Sequence, residues 1–121
     1  MANALNWFEI PVSDMDRAKT FYGTILDVRL EDYPFAETHK MAVIPAENGV
    51  GGALLEGEGY TPSHDGALIY LNGGEDLKVV QDRIEAAGGK VLQEKMSIGE
   101  DGFVTFFQDT EGNRVGLHSE A

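Results

Sequence analysis

The sequence repeats itself, and this repeat limits the fold more than any other feature. A shift of 62 residues places Asp14 on Asp76 and Met15 on Leu77. The same shift superposes three further pairs of positions: Ala18 on Val80, Tyr22 on Ile84, and Phe8 on Tyr70. Self-similarity at one spacing indicates that a single supersecondary unit occurs twice. The chain is therefore expected to contain two similar modules.

The first module begins with a predicted strand at residues 5–12, in which two kinds of position alternate. Phe8 and Ile10 fall on one face, whereas Trp7 and Glu9 fall on the other. One face is expected to pack against the protein, which leaves the other free to line a cavity.

A helix is predicted to follow, with Ser13 as its N-cap and Asp16 completing a capping box. Apolar residues then recur at spacings of three and four and share one face: Met15, Ala18, Phe21, Tyr22, Ile25 and Leu26. Three strands are predicted to complete the module, at residues 28–33, 40–45 and 51–56. The order of elements is βαβββ.

The second module shows the same order after a linker at residues 57–66 that is rich in glycine and small polar residues. A strand is predicted at residues 67–72, and a helix follows with Asp76 as its N-cap and Gly88-Gly89 at its end. Three more strands are predicted, at residues 90–94, 103–108 and 114–119.

The length of 121 residues suits a single domain spanning residues 1–121. Within it, module one covers residues 1–56 and module two covers residues 67–121. Hydrophobic residues make up 42% of the chain and charged residues 25%, which is typical of a globular protein.

Composition also excludes several functions. The chain has no cysteine, which rules out disulfides, thiolate catalysis and cysteine-bound metals. A net charge of −12 repels phosphate backbones and anionic lipids, so nucleic-acid and membrane partners are not expected. The charge serves solubility, or it attracts a cationic ligand. The N-terminal residues lack the pattern of a signal peptide, so a cytoplasmic location is expected.

Three segments carry a resemblance to a known family: residues 12–22, 84–91 and 109–115. They resemble the vicinal oxygen chelate superfamily, which includes glyoxalase I, extradiol dioxygenases and bleomycin-resistance proteins. The resemblance implies an α+β fold in which two βαβββ modules form a U-shaped mixed sheet around a cavity, with the helices outside. It also implies a homodimer with two pockets. Asp27 stands where the family pattern has glycine, which is expected to alter the exit of the first helix.

Enzymes of this family hold a divalent metal with His or Glu residues on the first and last strands of each module. The matching positions here are Trp7 and Ile69 on the first strands, and Ala53 and Gly116 on the last. None of these residues ligates a metal, so no cofactor is expected. The alternative is a divalent metal held by displaced ligands, for which three residues are candidates: Glu9, Glu56 and His118.

Glu9 and His118 are the candidate catalytic residues, because a base and an acid facing one cavity can abstract a proton next to a carbonyl. The same two residues can instead bind a ligand without reaction. The indole of Trp7 either stacks on a planar ligand or fills the interior. The predicted ligand-binding set is Trp7, Glu9, Ala53, Ile69, Gly116 and His118.

The sequence therefore favours a metal-independent protein that binds a small molecule, similar to the bleomycin-resistance branch. A second hypothesis is a metal-dependent lyase or dioxygenase of the glyoxalase-like type with displaced ligands. A third is an interaction subunit whose cavity is filled by its own side chains.

Overall fold

The computed structural model describes residues 3–121, except for the side chain of Phe35. Met1 and Ala2, which belong to the predicted first module, lie outside the described residues. The first module contains β1 (Phe8–Pro11), α1 (Met15–Leu26), β2 (Glu31–Ala36), β3 (His39–Ile44) and β4 (Gly52–Glu56). The second contains β5 (Tyr70–Asn72), α2 (Lys78–Ile84), β6 (Lys90–Ser97), β7 (Phe103–Gln108) and β8 (Arg114–Ser119).

Each module forms its own four-stranded mixed sheet. The strand order is β1-β4-β3-β2 in the first sheet and β5-β8-β7-β6 in the second. In both, the first strand pairs in parallel with the last, and the remaining pairs are antiparallel. The predicted α+β fold of two βαβββ modules is confirmed, with the sheet divided into two hydrogen-bonded sheets. Neither α1 nor α2, within residues 3–121, has the length and apolarity needed to cross a membrane.

The strand bounds differ from the predicted ones mainly at edges. The first sheet's edge strand β2 begins at Glu31, three residues later than predicted, and its pairing with β3 is irregular between Tyr33 and Ala36. In the second sheet, the edge strand β6 extends to Ser97, three residues further than predicted. Its pairing with β7 shifts register at two places. Edge strands pair on one side only, so the sequence pattern constrains their ends weakly.

Helix α1 packs its predicted apolar face between the sheet and α2. The side chains that are buried on it are Met15, Ala18, Phe21, Tyr22 and Ile25, and the helix contacts β3, β4 and α2. This face forms the centre of one hydrophobic core shared by both modules.

The start of α1 differs from the predicted capping box. Asp14 is the N-cap, and its carboxylate accepts the backbone N–H of Arg17 at 3.1 Å. The backbone N–H and the hydroxyl of Ser13 instead bond Glu111, at 2.9 and 3.1 Å. The prediction of Ser13 as N-cap was wrong: the next residue, Asp14, accepts the N–H that an N-cap accepts, and Ser13 donates to a carboxylate from the other module.

The end of α1 also differs from the prediction. Asp27 adopts the left-handed conformation, with φ 53° and ψ 50°, and its N–H bonds the carbonyl of Gly23. This is the conformation for which glycine is favoured at a helix end. The helix exit is therefore the one a glycine would give, although an aspartate makes it.

Helix α2 is shorter than its pattern predicts. Asp76 accepts the N–H of Lys78 at 2.9 Å, as a capping residue does, although the helix is bounded by Leu77. The helix ends at Ile84, whose carbonyl accepts the N–H of Gly89 at 3.0 Å, after Gly88 has turned the chain with φ 106°. The prediction of the glycine pair as C-cap was wrong, because Glu85 bounds the helix and the glycines lie in the turn that follows it.

The last strand of each module caps the helix of the same module. Glu56 on β4 accepts the N–H of Met15 at 2.8 Å. Ser119 on β8 accepts the N–H of Leu77 at 3.0 Å. Because Met15 and Leu77 are equivalent under the repeat, these two bonds are the same structural device built from different side chains.

The turn at residues 109–113 joins the second module to the first. Asp109 is buried, and its carboxylate accepts the hydroxyl of Tyr22 at 2.7 Å and the amide of Asn113 at 2.9 Å. The same amide donates to the carbonyl of Pro11 at 2.7 Å. A carboxylate with these donors is compensated for its burial, so the turn is a fixed junction between the modules.

Glu111, in the same turn, holds the start of α1. Its side chain is 0% exposed and accepts the N–H of Asp14 at 2.8 Å and the guanidinium of Arg17 at 2.8 Å. Burial opposes its ionisation, but hydrogen bonds from Arg17, Thr110, Asp14 and Ser13 outweigh burial and lower the pKa of Glu111 to about 2. The ionised side chain of Glu111 therefore connects the start of α1 to the second module through hydrogen bonds and an ion pair.

Candidate functional site

The two sheets each have a face that points away from the helices, which we call the open face. On β1, Phe8 and Ile10 pack against the core, so Trp7, Glu9 and Pro11 lie on the open face. Glu9 pairs with Ala53 on β4, which places Ala53 on the same face. Trp7 and Glu9 are exposed on this face, whereas Ala53 is fully buried.

On β5 the faces are reversed relative to the predicted repeat. Ile69 and Leu71 pack against the core, whereas Tyr70 stands on the open face and pairs with Gly116 on β8. When the core-facing residues of β1 and β5 are matched, Ile10 corresponds to Leu71, a shift of 61 residues instead of 62. Under this shift Leu68, not Ile69, is the equivalent of Trp7. The position matched to the family's metal ligands changes to a leucine, which ligates no metal either.

Glu9 lies at the centre of a small polar cluster on the first open face. Its carboxylate accepts the indole N–H of Trp7 at 3.3 Å and the hydroxyl of Tyr60, from the linker, at 3.2 Å. The nearby charge of Glu9, together with burial and the hydrogen bond, raises the pKa of Tyr60. Trp7 is 43% exposed. Glu9 is thus hydrogen-bonded and solvated, and Trp7 and Tyr60 present their rings beside it.

Glu9 also lines a shallow depression of about 240 Å³ between the modules, and Ile69 and Asn113 line it as well. The structure therefore brings two of the predicted ligand-binding residues together, Glu9 and Ile69. The depression has no His and no second Glu in its lining.

His118 lies on the open face of the second sheet, half-buried and paired across the strands with Val104. Its Nε2 is 2.6 Å from the carbonyl oxygen of Asp101. Since a carbonyl oxygen only accepts, Nε2 carries the hydrogen, and the neutral ring keeps its lone pair on Nδ1. Glu9 does not line the groove that His118 lines, so one chain does not bring the two candidate catalytic residues together.

A metal does not fit the positions where the family places it. Trp7, Leu68, Ala53 and Gly116 supply no ligand atom on the open faces. Of the displaced candidates, Glu56 faces the helix start and accepts the N–H of Met15. Among residues 3–121, no group of three or more His, Asp or Glu side chains lies close enough together to hold an ion.

A groove of about 1370 Å³ lies on the open face of the second sheet. Aromatic and apolar side chains dominate its lining, among them Tyr70, Met96, Val104 and Phe106, with His118 beside them. The rings of Tyr70 and Phe106 meet edge to face, with centroids 5.9 Å apart. A concave surface with this lining is typical of sites for small organic molecules.

Tyr70 is held in this groove by a close approach to Gly116. A side chain at Gly116 would bring its first carbon within 2.6 Å of the Tyr70 ring, which no folded protein tolerates. The absence of a side chain at Gly116 therefore makes room for the aromatic ring, and the ligand-binding role of Gly116 stays a prediction.

The sequence pattern missed the groove residues Met96, Val104, Phe106 and Tyr70. A signal was available for β7, where Phe103 and Phe107 alternate with Val104 and Phe106. The family pattern concerns only the first and last strands of each module, so it does not predict the contribution of β7. Met96 carried no signal because β6 is irregular in its register.

The fold and the motifs agree with comparisons to known proteins. The family model of the Glyoxalase/Bleomycin resistance protein/Dioxygenase superfamily matches residues 4–117. Two curated relatives, both named "Putative glyoxylase CFP32" and from Mycobacterium bovis and Mycobacterium tuberculosis, are 26% identical over 93% of the chain. The chain spans 44% of the length of these relatives.

Solved structures give the same picture of the fold. A glyoxalase/bleomycin resistance protein from Streptomyces sp. CB03234 is 25% identical with a TM-score of 0.72, covering 95% of this chain and 100% of that one. TnmS3, an antibiotic binding protein from Streptomyces sp. CB03234, is 22% identical with a TM-score of 0.72, covering 100% of this chain and 99% of that one.

Proposed function

Since the chain belongs to the glyoxalase/bleomycin resistance protein/dioxygenase superfamily, we propose that it is a metal-independent protein that binds a small organic molecule. The observation that carries this proposal is the groove on the second open face, where Tyr70 and Phe106 form an aromatic wall. A hydrophobic cleft with a few polar groups is the usual form of a small-molecule site. TnmS3, a protein of the same fold, offers a precedent at the level of fold alone.

The absence of a resident metal is part of the proposal. It is supported by the four family positions, which here carry Trp7, Leu68, Ala53 and Gly116. It is also supported by the hydrogen bonds of the remaining candidates, since Glu9 accepts from two side chains and Nε2 of His118 donates to a carbonyl.

The working form in this proposal is a homodimer. The open faces of both sheets expose large apolar side chains: Trp7 at 43%, Tyr33 at 57%, Tyr70 at 49% and Met96 at 39%. Exposed apolar patches on a folded protein mark interaction surfaces. The groove is also open enough that a bound molecule would remain in contact with water, and a second copy is the partner expected to cover it.

The proposal also includes a cytoplasmic location without nucleic-acid or membrane partners. The part of the proposal that concerns partners is supported by the net charge of −12, which opposes binding to phosphate backbones and anionic lipid surfaces.

Binding in the groove is tested with N-phenyl-1-naphthylamine, an uncharged aromatic dye that becomes fluorescent in apolar surroundings. We expect saturable binding at one site per chain. Met96→Trp fills the groove and is expected to weaken this binding about tenfold or more, which corresponds to roughly 1.4 kcal/mol. Leu92→Trp is the matched control, because Leu92 lies on the same strand, is also 39% exposed and does not line the groove.

The same preparation tests the metal and the assembly. Untagged protein purified without chelator is expected to contain no stoichiometric metal and to have the mass of two chains in solution. One tightly bound metal per chain would overturn the metal-independent proposal. A monomer at working concentration would overturn the dimer, and failure of the dye to saturate would count against the groove as a binding site.

One observation favours the second candidate, a glyoxalase-like or dioxygenase-like metal enzyme. Glu9 and His118 both lie on open faces, where the family's ligands lie. This candidate requires that added nickel, zinc, manganese or ferrous iron raises the melting temperature through binding to the folded chain. No such rise with any of the four ions would exclude it.

A further inference from the structure

The groove has an apolar floor but an acidic rim. Glu75, in the connection before α2, and Glu120, just after β8, both line it and are exposed. Together with the floor they give the groove two distinct chemical parts. The floor takes hydrocarbon or aromatic surface, and the rim offers negative charge at its edge.

His118 lies in the groove lining, but among residues 3–121 no Lys or Arg does, although the chain has nine Lys and Arg residues. Four of them are held in ion pairs elsewhere: Arg17 with Glu111, Lys19 with Asp32, Lys78 with Asp82 and Lys95 with Asp76. A fifth, Arg83, donates to the carbonyl of Ile25. The charge of Glu75 and Glu120 is therefore not compensated within the groove, and the net charge of −12 adds to the negative potential there.

The aromatic pair suits a positive charge as well. Tyr70 is 49% exposed and is fixed over Gly116, and its ring meets that of Phe106 edge to face. The face of an aromatic ring attracts cations through its quadrupole. The floor and the rim thus favour the same sign of charge.

We propose that the groove selects planar aromatic cations, in which a flat ring system carries a quaternary or protonated nitrogen. This inference rests on the proposed function and names the class of ligand for that site. The ring system lies against Tyr70, Phe106 and the apolar floor, and the charged nitrogen lies toward Glu75 and Glu120. A neutral ligand of the same shape leaves the carboxylates without a partner, and an anion is repelled by them.

The test uses three fluorescent molecules of nearly the same shape: N-methylacridinium, a permanent cation; acridine, uncharged at alkaline pH; and acridine-9-carboxylate, an anion. The full chain is titrated with each. The cation is expected to bind about tenfold more tightly than acridine at low salt, with the anion weakest. The advantage of the cation should shrink when the salt concentration rises from about 20 mM to about 300 mM, because salt screens the rim charges.

A pair of variants locates the charge that matters. The double variant Glu75→Gln/Glu120→Gln is expected to remove most of the advantage of the cation while leaving the affinity for acridine unchanged. The matched control, Glu31→Gln/Glu37→Gln, removes the same number of charges from exposed residues on and just after β2 of the first sheet, which does not line the groove. It is expected to change the affinity for the cation less than twofold, since exposed charges at a distance are screened.

Two failures can be told apart. In the first, acridine binds saturably, binds more weakly to the Met96→Trp variant, and has the same affinity as N-methylacridinium. This result overturns the selection for cations but leaves the groove as the binding site. If none of the three molecules binds saturably, the groove itself fails and the inference fails with it. Equal loss of cation affinity in both double variants would also overturn the inference, because the effect would then be one of net charge.

Discussion

Tyr22 brings a hydroxyl group into the centre of the molecule. The side chain is 0% exposed, and its hydroxyl donates to the buried carboxylate of Asp109 at 2.7 Å. Burial raises the pKa of Tyr22 well above its usual value, and the neighbouring charge of Asp109 raises it further. The phenol therefore stays neutral and is one of several donors to this carboxylate, which also accepts from Glu111 and Asn113.

Tyr22→Phe is expected to lower the free energy of unfolding by about 1.5–3 kcal/mol, the range for a hydrogen bond to a charged group. The ring still packs, but the Asp109 carboxylate loses one of its donors. Urea unfolding followed by circular dichroism measures the change. Tyr33→Phe, at a tyrosine that is 57% exposed, is the control and should leave stability unchanged. Equal stability of the two variants would show that the buried bond contributes nothing.

At the scale of the element, Asp27, the C-cap residue that follows α1, is unfavourable for two reasons. It takes the left-handed conformation at the C-terminal end of the helix, with φ 53°. L-residues pay for that conformation, and a carboxylate is unfavourable beside the carbonyls at a helix C-terminus.

Asp27→Gly is expected to stabilise the protein by about 1 kcal/mol, since glycine adopts the left-handed conformation without steric cost. Asp27→Asn separates the two effects, because asparagine removes the charge and keeps the side chain. It should give only part of the gain. Thermal unfolding of the two variants measures both steps, and a loss of stability in Asp27→Gly would contradict this account of the helix end.

The elements themselves were largely predictable because their signals are local. Helix α1 and its buried face follow from apolar spacings of three and four residues, whereas α2 ends at Ile84, before the predicted glycine pair. The face of β5 was mispredicted because the connection to α2, at Gly73 and Gly74, holds one residue more than its counterpart in the first module. Glycines carry no side chain from which such an insertion could be recognised.

The candidate site was only partly predictable, and the reason is distance along the chain. Alternation placed Glu9 and His118 on open faces, which requires only local information. Their separation into different cavities depends on how the two modules pack. The same holds for Ser13, whose donors are taken by Glu111, 98 residues away in sequence. No local pattern encodes a contact of that kind.

At the scale of the whole molecule, Glu111 makes the junction of the modules sensitive to acid. Its pKa in the folded chain is about 2, below the ordinary value of 4.5. A group whose pKa is lowered by folding stabilises the protein above its unfolded pKa, and that contribution is lost as the pH falls through the folded pKa. The window for this loss runs from about pH 4.5 down to about pH 2.

Glu111→Gln is therefore expected to be destabilised by about 2 kcal/mol at neutral pH, the scale of a charge-assisted hydrogen bond. The difference from the unmodified chain should shrink as the pH falls from 4.5 toward 2. Urea unfolding at several pH values measures it, with Glu37→Gln as the exposed control. A difference that stays constant with pH would show that the charge of Glu111 does not stabilise the junction.

An aromatic ring lies over a glycine in both modules, Phe8 over Gly52 and Tyr70 over Gly116. The first pair faces the helices and the second faces the opposite way. If the two modules descend from one duplicated ancestor, the insertion of one residue between β5 and α2 is enough to reverse which face of β5 packs against the helices. Divergence of this kind exposes an aromatic side chain in one module while its counterpart stays packed against the helices in the other. A ligand site can then evolve next to an aromatic residue that was first selected for packing.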